Sequence, residues 1–226
     1  MWSPKDMLEA GRLARHRHVA PYATLVLAGR YEEAGDAGRY RVCPGDMLVH
    51  RPYEAHQNLV AACGATVFNL PLPVDVALPP AFRVADPDVL IKVATSDPAA
   101  AYALLKPVEG IEPLYDDWPD QLAAALNADP SQRLRQWARD NGLAAETVSR
   151  GFRKVFGISP ARFRAEARAR LALAALRERE TSLATLAQDL NFSDQAHLSR
   201  AVRAIAYDSP ARWRKVNSVQ ERREAQ

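Results

Sequence analysis

The fold is decided by Ser149-Arg-Gly-Phe-Arg-Lys-Val-Phe-Gly-Ile-Ser-Pro-Ala-Arg-Phe-Arg164, because a similar stretch follows fifty residues later. The second copy reads Ser199-Arg-Ala-Val-Arg-Ala-Ile-Ala-Tyr-Asp-Ser-Pro-Ala-Arg-Trp-Arg214. Both copies contain a Ser-Arg pair, an apolar residue three positions after the first serine and a Ser-Pro pair further on. A repeat of this kind indicates a duplicated, arginine-rich helical module.

Each copy is preceded by a shorter apolar helix and a tight turn. The apolar positions of these first helices follow the helical period, and they are Leu134, Trp137 and Ala138 before the first copy and Leu183, Leu186, Ala187 and Leu190 before the second. The turns at 141–144 and 191–194 offer Gly or Asn for a left-handed position, and Ser193 or Asp194 as an N-cap. The pattern predicts two helix-turn-helix units.

The helix after each turn separates apolar from polar side chains. Its apolar face is predicted to be buried and consists of Val148, Phe152, Val155 and Phe156 in the first unit and Leu198, Val202, Ile205 and Ala206 in the second. Its polar face carries Glu146, Ser149, Arg150 and Arg153 in the first unit and Gln195, Ser199, Arg200 and Arg203 in the second. Such side chains suit base edges and phosphates. For a single helix, the alternative is a polar face that is only solvated. The same face occurs in both units, however, and this repetition favours a DNA-binding function.

Each unit closes on a Ser-Pro pair, which supplies a side-chain N-cap and a proline at the first position of another helix. After the first unit this helix is predicted to run from Pro160 to Glu180, over roughly 30 Å. That length is close to the repeat of B-DNA, about 34 Å. It predicts a rigid connector that places two recognition helices in successive major grooves. Its packed face is predicted to contain Phe163, Ala167, Leu171 and Ala174.

These features resemble the DNA-binding domain of the AraC/XylS family of bacterial transcription regulators over residues 117–216. The matching residues are Ser149, Arg150, Phe152, Phe156-Gly-Ile-Ser-Pro160 and Phe163, then Asn191-Phe-Ser-Asp-Gln195, Ser199, Arg200, Ser209-Pro210 and Trp213-Arg214. The second unit departs from the family pattern at Val202, Ala206 and Tyr207, which gives it a lighter core. The resemblance implies base contacts by Glu146, Ser149 and Arg150 in the first unit and by Gln195, Ser199 and Arg200 in the second.

The formal net charge of +3 conceals two halves of opposite sign. Residues 1–130 hold 11 Lys and Arg against 17 Asp and Glu, whereas residues 131–226 hold 19 against 10. The C-terminal half is therefore the one that attracts a polyanion. Phosphate contacts are expected from Arg153, Lys154, Arg162, Arg203, Arg212 and Arg214. The polar tail 217–226 is expected to be disordered.

The N-terminal part, residues 1–80, contains short β-rich segments separated by turn signals. Closely spaced short strands predict a small antiparallel barrel or sandwich. The segment also resembles the cupin barrel that serves as the sensor of many AraC-type regulators. The resemblance rests on His16-Arg-His18, Gly29, Pro44-Gly-Asp46 and His56-Gln-Asn58. The fold class is therefore predicted as α+β, with a cupin-like barrel followed by an all-α domain in which a long helix joins two helix-turn-helix units.

Four of the five histidines lie in this N-terminal part. His16, His18 and His56 could converge in a barrel as ligands for a divalent metal such as Zn, Ni, Fe or Mn, and His50 could join them. The carboxylate of the cupin motif is missing, however, because Tyr22 or Ala23 holds its place, and Glu32 and Glu33 lie after Gly29. The alternatives are a pocket that binds a small molecule through hydrogen bonds and a barrel without a ligand.

Residues 81–116 are predicted as a helical linker, because apolar helix faces alternate with prolines. In the resembled family this region often pairs subunits, so the resemblance implies a homodimer. The sequence shows no secretory signal, and no apolar run approaches the length of a membrane span. Cys43 and Cys63 lack metal-ligand spacing and are expected to be reduced. The protein is expected in the cytoplasm, with RNA polymerase as a further partner.

The sequence thus predicts a sequence-specific DNA-binding transcription regulator, not an enzyme, controlled by a small molecule or metal bound in the N-terminal barrel. One alternative is a metal-dependent cupin enzyme with a helical appendage, which requires a complete ligand set that includes a carboxylate. Another is a helical adaptor that binds protein in place of DNA. The salt dependence of DNA affinity separates that adaptor from a regulator.

Overall fold

The structure is a computed structural model that describes residues 5–75, 77–115, 117–178 and 181–214. The chain divides into two compact units. One comprises Met1–Gln121 with Lys154–Gly157, and the other comprises Leu122–Arg153 and Ile158–Gln226. The first contains an antiparallel sheet and the second is helical, so the predicted α+β class is confirmed. The predicted disordered tail, 217–226, lies outside the described residues.

The sheet unit contains eight strands in the described part of the chain. They are β1 Lys5–Leu8, β2 Gly11–Arg17, β3 Tyr22–Gly35, β4 Gly38–Val42, β5 Asp46–His50, β6 Ala55–Pro71, β7 Ala81–Val84 and β8 Pro107–Gly110. Their order is β1-β6-β3-β5-β7-β8, while β2 also pairs with β6 and β4 with β3. Among these pairings the path from β1 to β8 stays open, so the closed barrel remains a prediction.

A bulge in β3 changes which side chains face the inside of the sheet unit. Val26 pairs with Val67, but Ala28 already pairs with Thr66, so Leu27 is an extra residue. Strand residues alternate between faces, and one extra residue reverses the alternation. Even-numbered residues before the bulge, such as Tyr22 and Thr24, therefore share one face of β3 with odd-numbered residues after it, such as Tyr31 and Glu33.

Two glycines make this bend possible. Gly29 has a φ of +74° and Gly64 a φ of +70°, both in the left-handed region. A Cβ atom on Gly29 would lie 2.0 Å from Gly64 O, so the backbones of β3 and β6 approach too closely there for any side chain. Gly29 is therefore required at this position by sterics, while Gly64 is favoured by its left-handed conformation.

Segment 81–116 contains helices α1 (Pro87–Ser96) and α2 (Pro98–Ala103). Asp86 caps α1 by accepting from Val89 N, and Asp97 caps α2 by accepting from Ala99 N and Ala100 N. The segment predicted as a helical linker thus contains two helices, and it also contains β7 and β8, which pair with the sheet. Three residues of β7 are buried, Ala81, Phe82 and Val84, and Phe82 pairs with Met47 of β5 in the core.

The remaining helices are α3 Trp118–Ala128, α4 Leu134–Asp140, α5 Ala145–Phe156, α6 Pro160–Glu178, α7 Leu183–Asp189 and α8 Gln195–Ala206. A further helical turn begins at Pro210. The predicted core positions Val148, Phe152 and Phe156 of α5 are buried, as are Leu198, Val202 and Ile205 of α8. Val155 and Ala206 are half-buried.

The packed face of α6 differs from the prediction. Leu171 and Ala174 are exposed, while the buried positions are Phe163, Glu166, Ala167, Ala169, Ala172, Leu173 and Leu176. These residues cover more than half of the helix circumference, which is wider than a single apolar stripe. The reason is that α6 also packs against α8, so neighbouring elements bury more than one side of it.

Candidate functional sites

The first helix-turn-helix unit consists of α4, a tight turn and α5. Gly142 has a φ of +65°, which is the left-handed conformation predicted for this turn. Leu143 N donates to Ala138 O at 2.8 Å and closes the turn. Trp137 and Ala138 are buried, so α4 is held through its apolar face and α5 leaves the turn at a fixed angle.

The second unit, α7 and α8, repeats this geometry. Asn191 has a φ of 56°, and Phe192 N donates to Ala187 O at 2.8 Å. Of the two predicted N-caps, Asp194 is the one that caps α8, because its carboxylate accepts from His197 N at 2.6 Å. That hydrogen bond holds the pKa of Asp194 below its ordinary value. Ser193 Oγ lies 3.1 Å from His197 Nδ1.

The predicted base-contact residues lie on the polar faces of α5 and α8. Glu146, Ser149 and Arg150 are exposed on one face of α5, because Ser149 and Arg150 follow Glu146 by three and four positions. Gln195 and Arg200 are exposed on α8, whereas Ser199 between them is half-buried. Each second helix therefore presents an exposed arginine beside further hydrogen-bonding side chains, and α5 adds the acidic Glu146.

The predicted phosphate contacts divide into two groups. Arg153, Lys154 and Arg203 are exposed on α5 and α8. Two more are exposed but form local ion pairs, Arg162 Nε with Glu166 Oε1 at 2.9 Å and Arg212 Nε with Asp208 Oδ2 at 3.3 Å. Arg214 differs, because it is half-buried and its Nη2 donates to Thr181 O at 2.8 Å. Its visible role is to hold the segment that precedes α7.

The sheet unit contains a cavity of about 460 Å³ formed by β1, β2, β3, β5 and β6. Its polar end contains the four predicted histidines, His16, His18, His50 and His56, together with Glu33. Its apolar wall includes Leu8, Leu13, Val19, Pro21, Val67 and Pro71. The inward alternation of β3 explains these positions, because Tyr22 and Thr24 line the cavity before the bulge and Tyr31 and Glu33 line it afterwards.

The potential ligand atoms in this cavity lie close together. His56 Nε2 is 3.0 Å from His16 Nε2, and His56 Nδ1 is 3.0 Å from His50 Nδ1. Glu33 Oε1 lies 3.5 Å from His56 Nδ1 and 3.6 Å from His50 Nδ1. Two groups bring their ligand atoms within 4.8 Å of one another, namely His16, His18 and His56, and Glu33, His50 and His56. Ligand bonds of about 2.0–2.1 Å place neighbouring ligand atoms roughly 3–3.5 Å apart, so the spacing suits a divalent ion.

Burial controls the charge of this cluster. It lowers the pKa of His50 to about 3, with additional effects from His18 and His16, and lowers that of His56 well below its ordinary value. Burial and then the neighbouring Glu54 raise the pKa of Glu33 to about 8, while the hydrogen bond from Asn58 acts in the opposite direction. The buried imidazoles are therefore neutral near pH 7, which is the form that binds a metal.

Glu33 is the site residue that the sequence analysis left out of the ligand set, because it lies after Gly29. We expected the carboxylate position upstream of Gly29 to be held by Tyr22 or Ala23, and therefore expected no carboxylate. The structure corrects this, because the extra residue at Leu27 turns Glu33 inward. Tyr22 also lines the cavity, but its ring stacks on His50 with the centroids 4.4 Å apart. The alternation counted forward from Gly29 is the signal that would have found Glu33.

A buried carboxylate supports the strand that carries His16. Asp36 accepts a hydrogen bond from Arg15 and another from Ala55 N at 2.8 Å, and its side chain is fully buried. Arg17 lies within 3.9 Å of the same carboxylate and also donates to Tyr53 O. Arg15 and Arg17 flank His16 on β2, so these contacts hold the edge strand on both sides of the histidine.

The helical unit is a tandem helix-turn-helix, with each second helix presenting an exposed arginine behind the same turn. This architecture defines a class of DNA-binding domains. Residues 137–216 match the family model described as a helix-turn-helix domain. This domain is of the AraC type, which confirms the sequence prediction for this part of the chain. The unit that precedes it is β-rich, as in a sensor-like domain.

Solved structures of low identity resemble this chain. The C-terminal domain of AraT, a response regulator from Geobacillus stearothermophilus, is 18% identical over 43% of this chain and 84% of its own, with a TM-score of 0.41. A probable AraC family transcriptional regulator from Rhodopseudomonas palustris CGA009 is 19% identical over 43% and 94%, with a TM-score of 0.40. ToxT from Vibrio cholerae O395 is 7% identical over 93% and 96%, with a TM-score of 0.45.

No curated protein matches the chain. Among the described residues, no helix is both long enough and apolar enough to cross a membrane.

Proposed function

We propose that the protein is a one-component transcription regulator that binds specific DNA sequences through α5 and α8. The observation that carries the proposal is the duplicated helix-turn-helix with Arg150 and Arg200 exposed at equivalent positions. Arginine is the commonest reader of guanine in the major groove, because its two donors match the O6 and N7 atoms. Two such helices on one domain read two half-sites.

The neighbours of these arginines complete the proposed base-contact set, which is Glu146, Ser149 and Arg150 on α5 and Gln195, Ser199 and Arg200 on α8. Glu146 accepts from a cytosine amino group and repels phosphate, so it contributes discrimination and not affinity. The half-buried Ser199 contributes less than the exposed Ser149.

Affinity comes from the basic side chains around these faces, Arg153, Lys154, Arg162, Arg203 and Arg212. Arg214 does not belong to this group, because the residue is half-buried and its guanidinium donates a hydrogen bond to Thr181 O. The excess of 19 basic over 10 acidic residues in 131–226 supports the assignment of DNA to this half of the chain.

We further propose that residues 1–80 sense a metal or small-molecule effector in the cavity of the sheet unit. Glu33, His16, His18, His50 and His56 offer nitrogen and oxygen ligands that fit Zn, Ni, Fe or Mn. The apolar wall and the volume of about 460 Å³ suit a small organic molecule at the same place. An effector that binds one arrangement of the protein more tightly shifts the population that is able to bind DNA.

The remaining assignments follow from this function. In this proposal residues 117–216 form the DNA-binding domain. Residues 81–116 supply two strands of the sheet, and they also contribute to the interface of a homodimer. A regulator of this kind works in the cytoplasm, where DNA and RNA polymerase are present. We assign it no catalytic activity.

The deciding experiment selects bound sites from a random DNA pool and then titrates salt against the selected site. A regulator enriches one motif with two half-sites, and its affinity falls steeply with ionic strength because phosphate contacts release counterions. Failure to enrich any motif, together with salt-independent association, contradicts the proposal and favours the protein-binding adaptor.

A metal-dependent enzyme is the second candidate, and one observation favours it. Glu33 completes a ligand set of histidines and a carboxylate that the sequence alone did not supply. Metal analysis combined with turnover assays separates the two functions. Turnover that requires bound iron or manganese and is lost in His56→Ala supports the enzyme, whereas metal binding that changes only DNA affinity supports the regulator.

A further inference from the structure

Two arginines on the connecting helix α6 each donate to a backbone carbonyl in a different part of the helical unit. Arg164 Nη1 lies 3.0 Å from Gln132 O, in the segment that leads into α4. Arg168 Nη1 lies 2.9 Å from Asn191 O, in the turn between α7 and α8. Residues four positions apart lie on one face of a helix, so a single face of α6 contacts both helix-turn-helix units.

Arg168 also contacts an aromatic ring of the second unit. Its Cζ atom lies 5.1 Å from the centroid of the Phe192 ring, within the range of a cation–π interaction. Phe192 is buried, and Asn191 is held in the left-handed conformation, so the carbonyl and the ring are both fixed. A planar guanidinium can stack and donate at the same time, which an ammonium cannot do. Arg168 therefore restrains both the position and the rotation of this turn.

The arrangement costs free energy locally. The Nε atoms of Arg164 and Arg168 are buried and have no hydrogen-bond partner among the described residues. Burial, and then the neighbouring Arg164, lower the pKa of Arg168. Two partly buried cations one turn apart repel each other, so the carbonyl contacts must offset this repulsion. Their geometric effect is to tie two separate modules to adjacent turns of one helix.

We propose that Arg164 and Arg168 are positioning residues that set the spacing and relative rotation of α5 and α8, and hence the separation of the DNA half-sites. This inference rests on the proposed DNA-binding function. The two anchors are one helical turn apart, about 6 Å along α6, whereas the 19-residue helix is about 28 Å long. The spacing of the recognition helices is therefore set by side-chain anchors in the N-terminal half of α6. In this proposal the anchors act in addition to the length of the connecting helix, which the sequence analysis took as the determinant.

The first test measures the spacing without DNA. Spin labels are attached to the full chain at Thr147→Cys and Ala204→Cys, which are exposed positions of α5 and α8, with Cys43 and Cys63 replaced by Ser. We expect a narrow distribution of label distances that broadens or shifts in Arg168→Gln and in Arg164→Gln. The matched control is Arg135→Gln, which removes an exposed arginine of α4 and leaves the distribution unchanged. An unchanged distribution in Arg168→Gln overturns the proposal.

The second test varies the number of base pairs between the two selected half-sites. The unsubstituted chain is expected to prefer one spacing, whereas Arg168→Gln loses about tenfold in affinity at that spacing and tolerates longer and shorter sites. Arg168→Lys retains the charge but not the stacked plane, so it restores affinity only in part, and it serves as the test variant should Arg168→Gln not fold. An equal loss at every spacing overturns the proposal, because it marks Arg168 as a phosphate contact. Absence of DNA binding by the unsubstituted chain contradicts the proposed function, while the label distances still decide the positioning role.

Discussion

Glu33 Oε1 lies 3.5 Å from His56 Nδ1. The two residues come from the neighbouring strands β3 and β6, and His56 lies two positions away from the residue that pairs with Glu33. Glu33 pairs with Asn58 and Gly35 pairs with His56, so the two side chains meet diagonally across the β3–β6 pair. His50, from β5 on the other side of β3, completes a buried group of three. Three strands therefore contribute one ligand atom each, which fixes the group more firmly than residues on a loop would.

The first prediction concerns a divalent metal. The full chain should bind Zn²⁺ or Ni²⁺ in equilibrium dialysis followed by elemental analysis, and His56→Ala should abolish this binding because His56 belongs to both ligand groups. Glu33→Gln should weaken it, since the amide is a poorer ligand than the carboxylate that Glu33 presents once the metal displaces its proton. His197 offers a matched control, because it is the fifth histidine and lies on α8. Loss of metal in His197→Ala equal to that in His56→Ala contradicts the assignment.

The ligand group also shows what the sequence could and could not predict. The histidines could be found from their spacing. Alternation along a strand places His16 and His18 on the same face of one strand, and it places His50 on the same face as Leu48 of another. Glu33 could not be assigned by counting from the start of β3, but only by counting forward from Gly29. A single bulge at Leu27 reverses the alternation, and bulges depend on how two distant strands approach each other.

The helix-turn-helix units were more predictable for a physical reason. Their turns and caps depend on local residues, such as the left-handed Gly142 and Asn191 and the capping Asp194. The packed face of α6 was not predictable from the same signals, because it depends on which elements dock on the helix. Exposed Leu171 and the carbonyl contact of Arg168 illustrate this, since both are decided by tertiary packing.

The second prediction concerns base contacts. Arg150→Ala and Arg200→Ala should each cost about 1–3 kcal/mol in binding to the selected site and relax the preference for one base in the corresponding half-site. Quantitative gel shifts with single-base variants of the site measure both effects. A uniform loss on selected and random DNA would instead place both arginines in the phosphate class.

A comparison variant addresses the phosphate contacts directly. Arg153→Ala on α5 should weaken binding to all sequences alike and reduce the slope of log affinity against log salt by about one. Arg214→Ala should behave differently, because its contact with Thr181 O is structural. We expect Arg214→Ala to lower the unfolding temperature. The slope of log affinity against log salt, measured on the folded protein, should stay the same.

The third prediction concerns the cap of α8. Asp194→Ala should lower the midpoint of thermal unfolding, because His197 N loses its acceptor, while Asp194→Asn should retain most of the stability. The pKa of Asp194 is lowered in the folded protein, so its contribution is present near neutral pH and is lost as the pH falls through the lowered pKa. Ser193→Ala is the neighbouring control. An unfolding midpoint that is equal in Asp194→Ala and the unsubstituted chain would exclude a capping role.

The fourth prediction concerns Asp36, whose fully buried carboxylate serves Arg15, Arg17 and Ala55 N together. Asp36→Ala should reduce the free energy of unfolding by about 3–5 kcal/mol, because it leaves two largely buried cations without their common partner. Urea denaturation followed by circular dichroism measures the loss, and Asp88→Ala on the exposed first turn of α1 provides the control.

Because Arg15 and Arg17 flank His16, we also expect metal affinity to fall in Asp36→Asn, which keeps an acceptor for Ala55 N but loses the charge. Unaltered metal affinity in a destabilised Asp36→Asn would show that the ion pairs support the sheet alone and that His16 is held by its neighbours in the cavity.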